Sequence, residues 1–181
     1  MRVERYAHTE QDTWLWRRAI LSDIPALVDL SDSNFRAEID QVFTASRPTL
    51  AYHLSMDIVK QSYNPKSCII VVAVSNDNQL LAYTWARPDA TCWSADTMVS
   101  VAMVHLRLDL TAKQRVRLTH QMLDQVELYA VYAQIPVVCS TTVRHDQGAF
   151  LKIHEQRGYS VRGSYAYLKV SQELILAAKS S

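Results

Sequence analysis

Residues 97–108 read TMVSVAMVHLRL and residues 137–143 read VVCSTTV, two apolar runs separated by a long stretch with a different period. Within that stretch Val116, Leu123, Val126, Ala130 and Ala133 fall at helical spacing. Thr111 stands where an N-cap belongs, and Pro136 closes the segment. Two strands joined by a helix-length connection lie side by side in parallel, because a parallel return needs a crossover of a dozen or more residues. Thr97–Leu108, a helix from Ala112 to about Gln134 and Val137–Val143 therefore make one strand–helix–strand unit.

Upstream of this unit, Cys68–Val74 is a continuous apolar run of the kind buried on both faces. Ser75-Asn76-Asp77-Asn78 is a polar turn, Leu80–Ala86 returns as the antiparallel hairpin partner, and Arg87-Pro88-Asp89 ends it. Further back, Thr13–Ile20 is aromatic-rich and reads as a first strand. Ser22 caps a helix with Asp23 and Pro25 in its first turn and Ile24, Leu27, Val28 and Leu30 on its apolar face. A second helical region spans Phe35–Lys60, interrupted at Pro48. Downstream, a helix over Gln147–Arg157 ends at Gly158, and Val161–Val170 holds two short strands or one bent one. The expectation is a single α/β domain over residues 13–171, between a polar arm (1–12) and a tail (172–181). Its sheet is mixed and twisted, with six or seven strands and helices on both faces.

The bulk properties narrow the function classes. A chain of 181 residues can bury one sizeable core. A net charge of +1 gives no electrostatic drive toward nucleic acid or an anionic membrane, so neither is expected as a partner. No stretch reaches 18 apolar residues, and the first residues lead into no apolar segment, which points to the cytoplasm. Cys68, Cys92 and Cys139 are odd in number, widely spaced and set among apolar neighbours, the pattern of reduced, packed thiols. The six histidines show no metal-ligand spacing, so no metal is expected.

The order of elements and the closing segment resemble the GNAT family of N-acetyltransferases. That family's closing signature reads roughly Asn-x-x-Ala-x-x-Leu-Tyr-x-x-x-Gly-Phe. Here Gln147 stands in the Asn place, Phe150 in the Ala place, Ile153 in the Leu place, His154 in the Tyr place and Gly158-Tyr159 in the Gly-Phe place. The resemblance covers about Trp14 to Val170 and implies an α/β, GNAT-like sheet that transfers an acetyl group from acetyl-CoA to an amine. It also implies that the thioester lies where the fourth and fifth strands splay apart, with Leu106 and Leu108 backbone groups pairing with the pantetheine arm.

The family's cofactor loop, Gln/Arg-x-x-Gly-x-Gly/Ala, opens the helix after the fourth strand and holds the pyrophosphate on backbone amides. The matching run here is Gln114-Arg115-Val116-Arg117-Leu118-Thr119, with Arg117 and Thr119 in the glycine places of a chain that has only 3 glycines. Two readings follow. Lys113, Arg115 and Arg117 bind the phosphates through side chains, or the loop has closed and the fold serves as a scaffold. Cations at a helix N-terminus oppose the dipole unless an anion sits there, which favours the first; a solvated basic turn is the plain alternative.

For proton transfer, the resemblance puts His154 in the place of a general acid, against the plainer reading of a capped helix histidine. His105 is the one candidate base on the fourth strand, against a satisfied strand-end histidine. Strict alternation sets Val99, Val101, Met103, His105 and Arg107 on one face, and Met98, Ala102, Val104, Leu106 and Leu108 on the other. His145 and Asp146 follow the fifth strand, where Asp146 is accounted for as a helix cap. Cys139 shows no adjacent base, and Trp14, Trp16, Trp85 and Trp93 are by default core aromatics. As an enzyme the protein would take a small-molecule or protein amine as acceptor. As a scaffold it would bind a partner protein or itself.

Overall fold

The computed structural model describes residues 14–38, 44–90, 94–144 and 147–162. These divide into a larger compact unit, within residues 14–34 and 46–141, and a smaller one that begins at Thr142 and includes residues 35–45.

In the larger unit five strands, β1 (Trp14–Arg18), β2 (Ile69–Ser75), β3 (Leu80–Ala90), β4 (Thr97–Leu106) and β5 (Val137–Ser140), lie in the order β1-β2-β3-β4-β5. The first four pair antiparallel in sequence, and β4 pairs with β5 in parallel. The crossover between β4 and β5 is α3 (Ala112–Ala133), as the two apolar runs require. Among the described residues the sheet has five strands, not six or seven. The closing strands expected over Val161–Val170 fall, beyond Arg162, outside the described residues, and Val161 and Arg162 are in no strand.

Two further helices, α1 (Ile24–Glu38) and α2 (Arg47–Tyr63), differ from expectation at their starts. Pro48 opens α2 and does not interrupt it, because the first helical turn has no use for the missing N–H. Ser46 is the cap, its hydroxyl accepting from Thr49 N at 3.4 Å. Ser22 is not a cap: it lies in a short 3-10 turn, Leu21–Asp23, ahead of α1. There Asp23 accepts from Ile20 N at 2.8 Å and from both Arg17 guanidinium nitrogens at 2.7 and 2.8 Å.

Helices cover both faces of the sheet, which is why β2 is apolar without alternation. Ile70, Val72 and Val74 pack against Leu27 and Leu30 of α1 and Leu54 and Ile58 of α2. Their neighbours Ile69 and Val71 pack against Val126, Tyr129 and Ala130 of α3, and Ala73 against Leu118 and Met122.

Strict alternation fails on β4. Trp85 of β3 pairs with Met103 but the next residue, Ala86, pairs with Val101, so Ala102 is an extra, exposed residue. This bulge shifts the parity of everything after it. Val104 and Leu106 join Val99 and Val101 on the α3 face, while Met103 and His105 turn toward α1 and α2. Without it Leu106, which is buried, and Val104, which is partly buried, would leave their apolar clusters, a loss of about 2–4 kcal/mol.

In the smaller unit α4 (Gly148–Gln156) ends through Gly158, at φ 87°. Gly158 N donates to Glu155 O at 2.9 Å and Tyr159 N to His154 O at 3.0 Å. Only glycine holds this left-handed position without strain, as expected of the residue that closes the helix.

Candidate functional site

The β4–β5 pairing is short. Met98–Val101 align with Val137–Ser140, whereas β4 continues to Leu106 and stays joined to β3, with Arg107 N donating to Leu81 O at 2.9 Å. The two parallel strands therefore part at Val101 and Ser140, beside the Ala102 bulge. At this fork the Ser140 hydroxyl is buried and has no hydrogen-bond partner among the described residues. Ser140 was not singled out in the sequence; the available signal was the change from apolar Val137-Val138-Cys139 to polar Ser140-Thr141-Thr142.

The second feature is the start of α3. A helix leaves four N–H groups unserved at its N-terminus. Here Thr111 and Gln114 form a reciprocal capping box: Gln114 N donates to Thr111 Oγ1 at 3.3 Å, and Thr111 N donates to Gln114 Oε1 at 3.0 Å. The remaining two, on Ala112 and Lys113, are not used by the box, and Lys113 is exposed. Just before the helix, Arg107 pairs in bidentate fashion with Asp109 and donates to Gln79 Oε1 at 2.9 Å. That hydrogen-bonded pair lowers the Asp109 carboxyl below its usual range and raises Arg107.

The residues aligned with the phosphate loop scatter around this helix. Gln114 is taken up by the capping box. Arg115 follows it, its amide already within the ladder at 2.9 Å from Thr111 O. Arg117 lies a turn deeper, its guanidinium 5.6 Å from the centre of the Trp14 ring, and Thr119 Oγ1 donates back to Arg115 O at 2.8 Å. Arg117 and Thr119 thus sit inside a regular helix, where their backbone amides belong to the ladder and cannot cradle an anion. Both are part of α3, as its expected start after Thr111 requires.

The backbone groups behave in the same way. Leu106 O accepts from Asn34 Nδ2 at 2.9 Å, a fully buried contact from α1 that also ties Asn34 to Leu30 O at 3.0 Å. One acceptor position of the Leu106 carbonyl is therefore used within the fold. Leu108 lies in the turn after β4 and is exposed.

His105 is buried and stacks at 5.4 Å on Tyr83, whose phenol burial pushes well above its ordinary range. Tyr83 also shares a short hydrogen bond with the Ser31 hydroxyl of α1. His105 thus sits in the core, packed against a strand tyrosine. His154, in the smaller unit, is buried, with Nδ1 2.8 Å from Phe150 O and its ring between Phe150 (4.0 Å) and Tyr159 (4.9 Å). Gln147 occupies the N-cap position of α4 without a side-chain capping bond and is exposed.

Three tryptophans are core or near-core donors. Trp85 Nε1 donates to Asp57 Oδ2 at 2.8 Å, and Trp14 and Trp16 both donate to Gln121 Oε1, at 2.8 and 2.9 Å. Cys68 and Cys139 are free thiols, and burial pushes the Cys68 thiol up. Cys92, Trp93, His145 and Asp146 lie outside the described residues. Among the described residues no helix is long and apolar enough to cross a membrane.

No protein-family model and no curated protein matches this sequence. Solved structures do match its shape. One is a predicted acetyltransferase of Clostridium acetobutylicum crystallised with acetyl-CoA, at TM-score 0.64 and 14% identity over 86% of this chain and 95% of that one. A ribosomal-protein-alanine N-acetyltransferase of Brucella melitensis matches at TM-score 0.62 and 13% identity, covering 87% and 99%. Glucosamine-6-phosphate N-acetyltransferase of Arabidopsis thaliana matches at TM-score 0.62 and 12% identity, covering 87% and 98%. At these identities the likeness concerns the fold.

Proposed function

We propose that this chain, which carries the fold of the GNAT acetyltransferases, binds acetyl-CoA and passes its acetyl group to an amine. The observation that supports the reading most is the β4–β5 fork, opened beside a bulge and followed at once by an α3 N-terminus with two uncommitted amides. The fork suits a narrow arm laid along a strand edge. The Ala112 and Lys113 amides, the helix dipole and the Lys113 side chain suit a diphosphate, with Arg115 one turn behind. Acetyl-CoA would supply the activated thioester. The chain would supply the anchor for its phosphates, the strand edge for its arm and an apolar wall that excludes water. Arg117 and Thr119 have no part in this assignment, and neither has the Leu106 carbonyl.

A second reading, a non-catalytic protein that uses the fold to bind a partner protein or itself, is favoured by one observation. His154 Nδ1, Gln114, Arg117 and the Leu106 carbonyl, all candidates by position, each make a contact within their own unit.

Thiol release from acetyl-CoA, measured with small amines and with peptides bearing a free N-terminus, separates the two. The enzyme reading expects release stimulated by at least one amine class. It also expects Lys113→Glu to weaken acetyl-CoA about tenfold or more, since charge-assisted bonds contribute roughly 1.5–3 kcal/mol. Binding without stimulated release in any amine class supports the second reading, and no binding at all refutes the first.

A further inference from the structure

The β4–β5 fork holds a polar group that folding alone does not account for. Ser140 is the last residue of β5 and pairs with Val101, which is 4% exposed in the apolar cluster under α3. Strand alternation puts Ser140 on the same side as Val138, which packs on that cluster. Its hydroxyl is nonetheless buried and meets no partner among the described residues. A buried hydroxyl without a partner is a net cost to the folded state, and alanine in its place would remove that cost. Locally unfavourable groups of this kind concentrate where a ligand completes them. The position fits such a role, because pairing stops at this residue and the strand edge of β4 continues beyond it.

From this we infer that Ser140 Oγ is the positioning contact for the pantetheine–thioester arm of an acyl-CoA held in the fork. The inference rests on the acetyl-CoA reading above. The chemistry matches: that arm is an apolar chain interrupted by amides and a thioester carbonyl. A hydroxyl can both donate to a carbonyl oxygen and accept from an amide N–H. A charged side chain in the same place would face desolvation with nothing to offset it. Ser140 moves no proton in this proposal and forms no bond to the acyl group. It fixes how far along β4 the arm lies.

The test is Ser140→Ala in the full chain, with three readouts. Without ligand the variant should melt higher than the parent, by about 2–4 °C, since an unsatisfied hydroxyl has been removed. By calorimetric titration it should bind acetyl-CoA about three- to tenfold more weakly, the loss of one neutral hydrogen bond. Adenosine 3′-phosphate 5′-diphosphate, which has the phosphates and lacks the arm, should bind parent and variant alike. A ligand-free variant melting at or below the parent would overturn the inference, as would equal acetyl-CoA affinity in the two proteins. Equal weakening of both ligands would overturn it too, by showing a general disturbance. If the parent binds neither ligand, the acetyl-CoA reading itself fails and the inference falls with it. Acetyl-CoA binding to the parent separates the two failures: a parent that binds, with an unaffected variant, defeats the inference alone.

Discussion

Replacing Gln121 by Leu would remove a single oxygen on which two tryptophans depend. Gln121 is 8% exposed on α3, and its Oε1 accepts from Trp14 Nε1 at 2.8 Å and Trp16 Nε1 at 2.9 Å. Leucine has similar bulk, so little cavity forms, and both indole donors are orphaned. A fully buried donor left without a partner costs about 1–3 kcal/mol; both indoles keep some exposure, so the lower part of that range applies to each. The sum is about 2–3 kcal/mol. For a chain of this size that lowers the melting temperature by about 4–12 °C. Urea unfolding of the parent and Gln121→Leu measures the loss. The triple variant Trp14→Phe, Trp16→Phe, Gln121→Leu checks its origin, because it has neither donors nor acceptor and should recover part of the stability lost by Gln121→Leu alone. Phenylalanine at residue 14 also keeps a ring beneath Arg117. A loss below about 0.5 kcal/mol for Gln121→Leu, or strictly additive losses in the triple variant, would refute the reasoning.

Thr111→Ala should cost about 1 kcal/mol, read by urea unfolding, because it removes the hydroxyl that serves the α3 N-terminus. Asp23 should make stability pH-dependent. Burial by itself would raise its carboxyl, but the Arg17 hydrogen bonds and the Ile20 amide outweigh burial and leave it below its usual 3.8. Its contribution is therefore complete above that value and is lost as pH falls through the lowered one. Unfolding curves of the parent and Asp23→Asn should differ at pH 6 and converge in acid, and a difference that persisted unchanged to about pH 2 would contradict the assignment.

The strand–helix–strand unit was legible because burial writes its period directly into the sequence. The apolar runs at 97–108 and 137–143 could only pair in parallel across α3. The β4 bulge was not legible, since one inserted alanine among small and apolar residues leaves the apparent alternation intact while reversing it in space. Pro48 shows a related ambiguity: the same missing N–H breaks a helix in its interior and suits its first turn, and only the location of Ser46 decides which applies. The phosphate-loop residues were legible as a string and not as a surface. The helix start at Thr111 was legible, but the resemblance laid the loop pattern over Gln114–Thr119, residues that already lie inside that helix. His105 and His154 were chosen for their chemistry, but their settings depend on Tyr83, Phe150 and Tyr159, contacts that only the folded chain provides. Ser140 escaped notice for the opposite reason: a serine in a strand is unremarkable until its hydroxyl is found buried.

The central claim, that the α3 N-terminus and the fork together receive acetyl-CoA, is tested most directly by following backbone amide resonances as acetyl-CoA is added to the labelled protein. The account predicts the largest shifts at Ala112 and Lys113 and at Ser140, with the ladder-bonded amides of Arg117 and Thr119 moving little. No shifts at saturating ligand, or shifts centred on Arg117 and Thr119 with Ala112 and Ser140 unmoved, would contradict it.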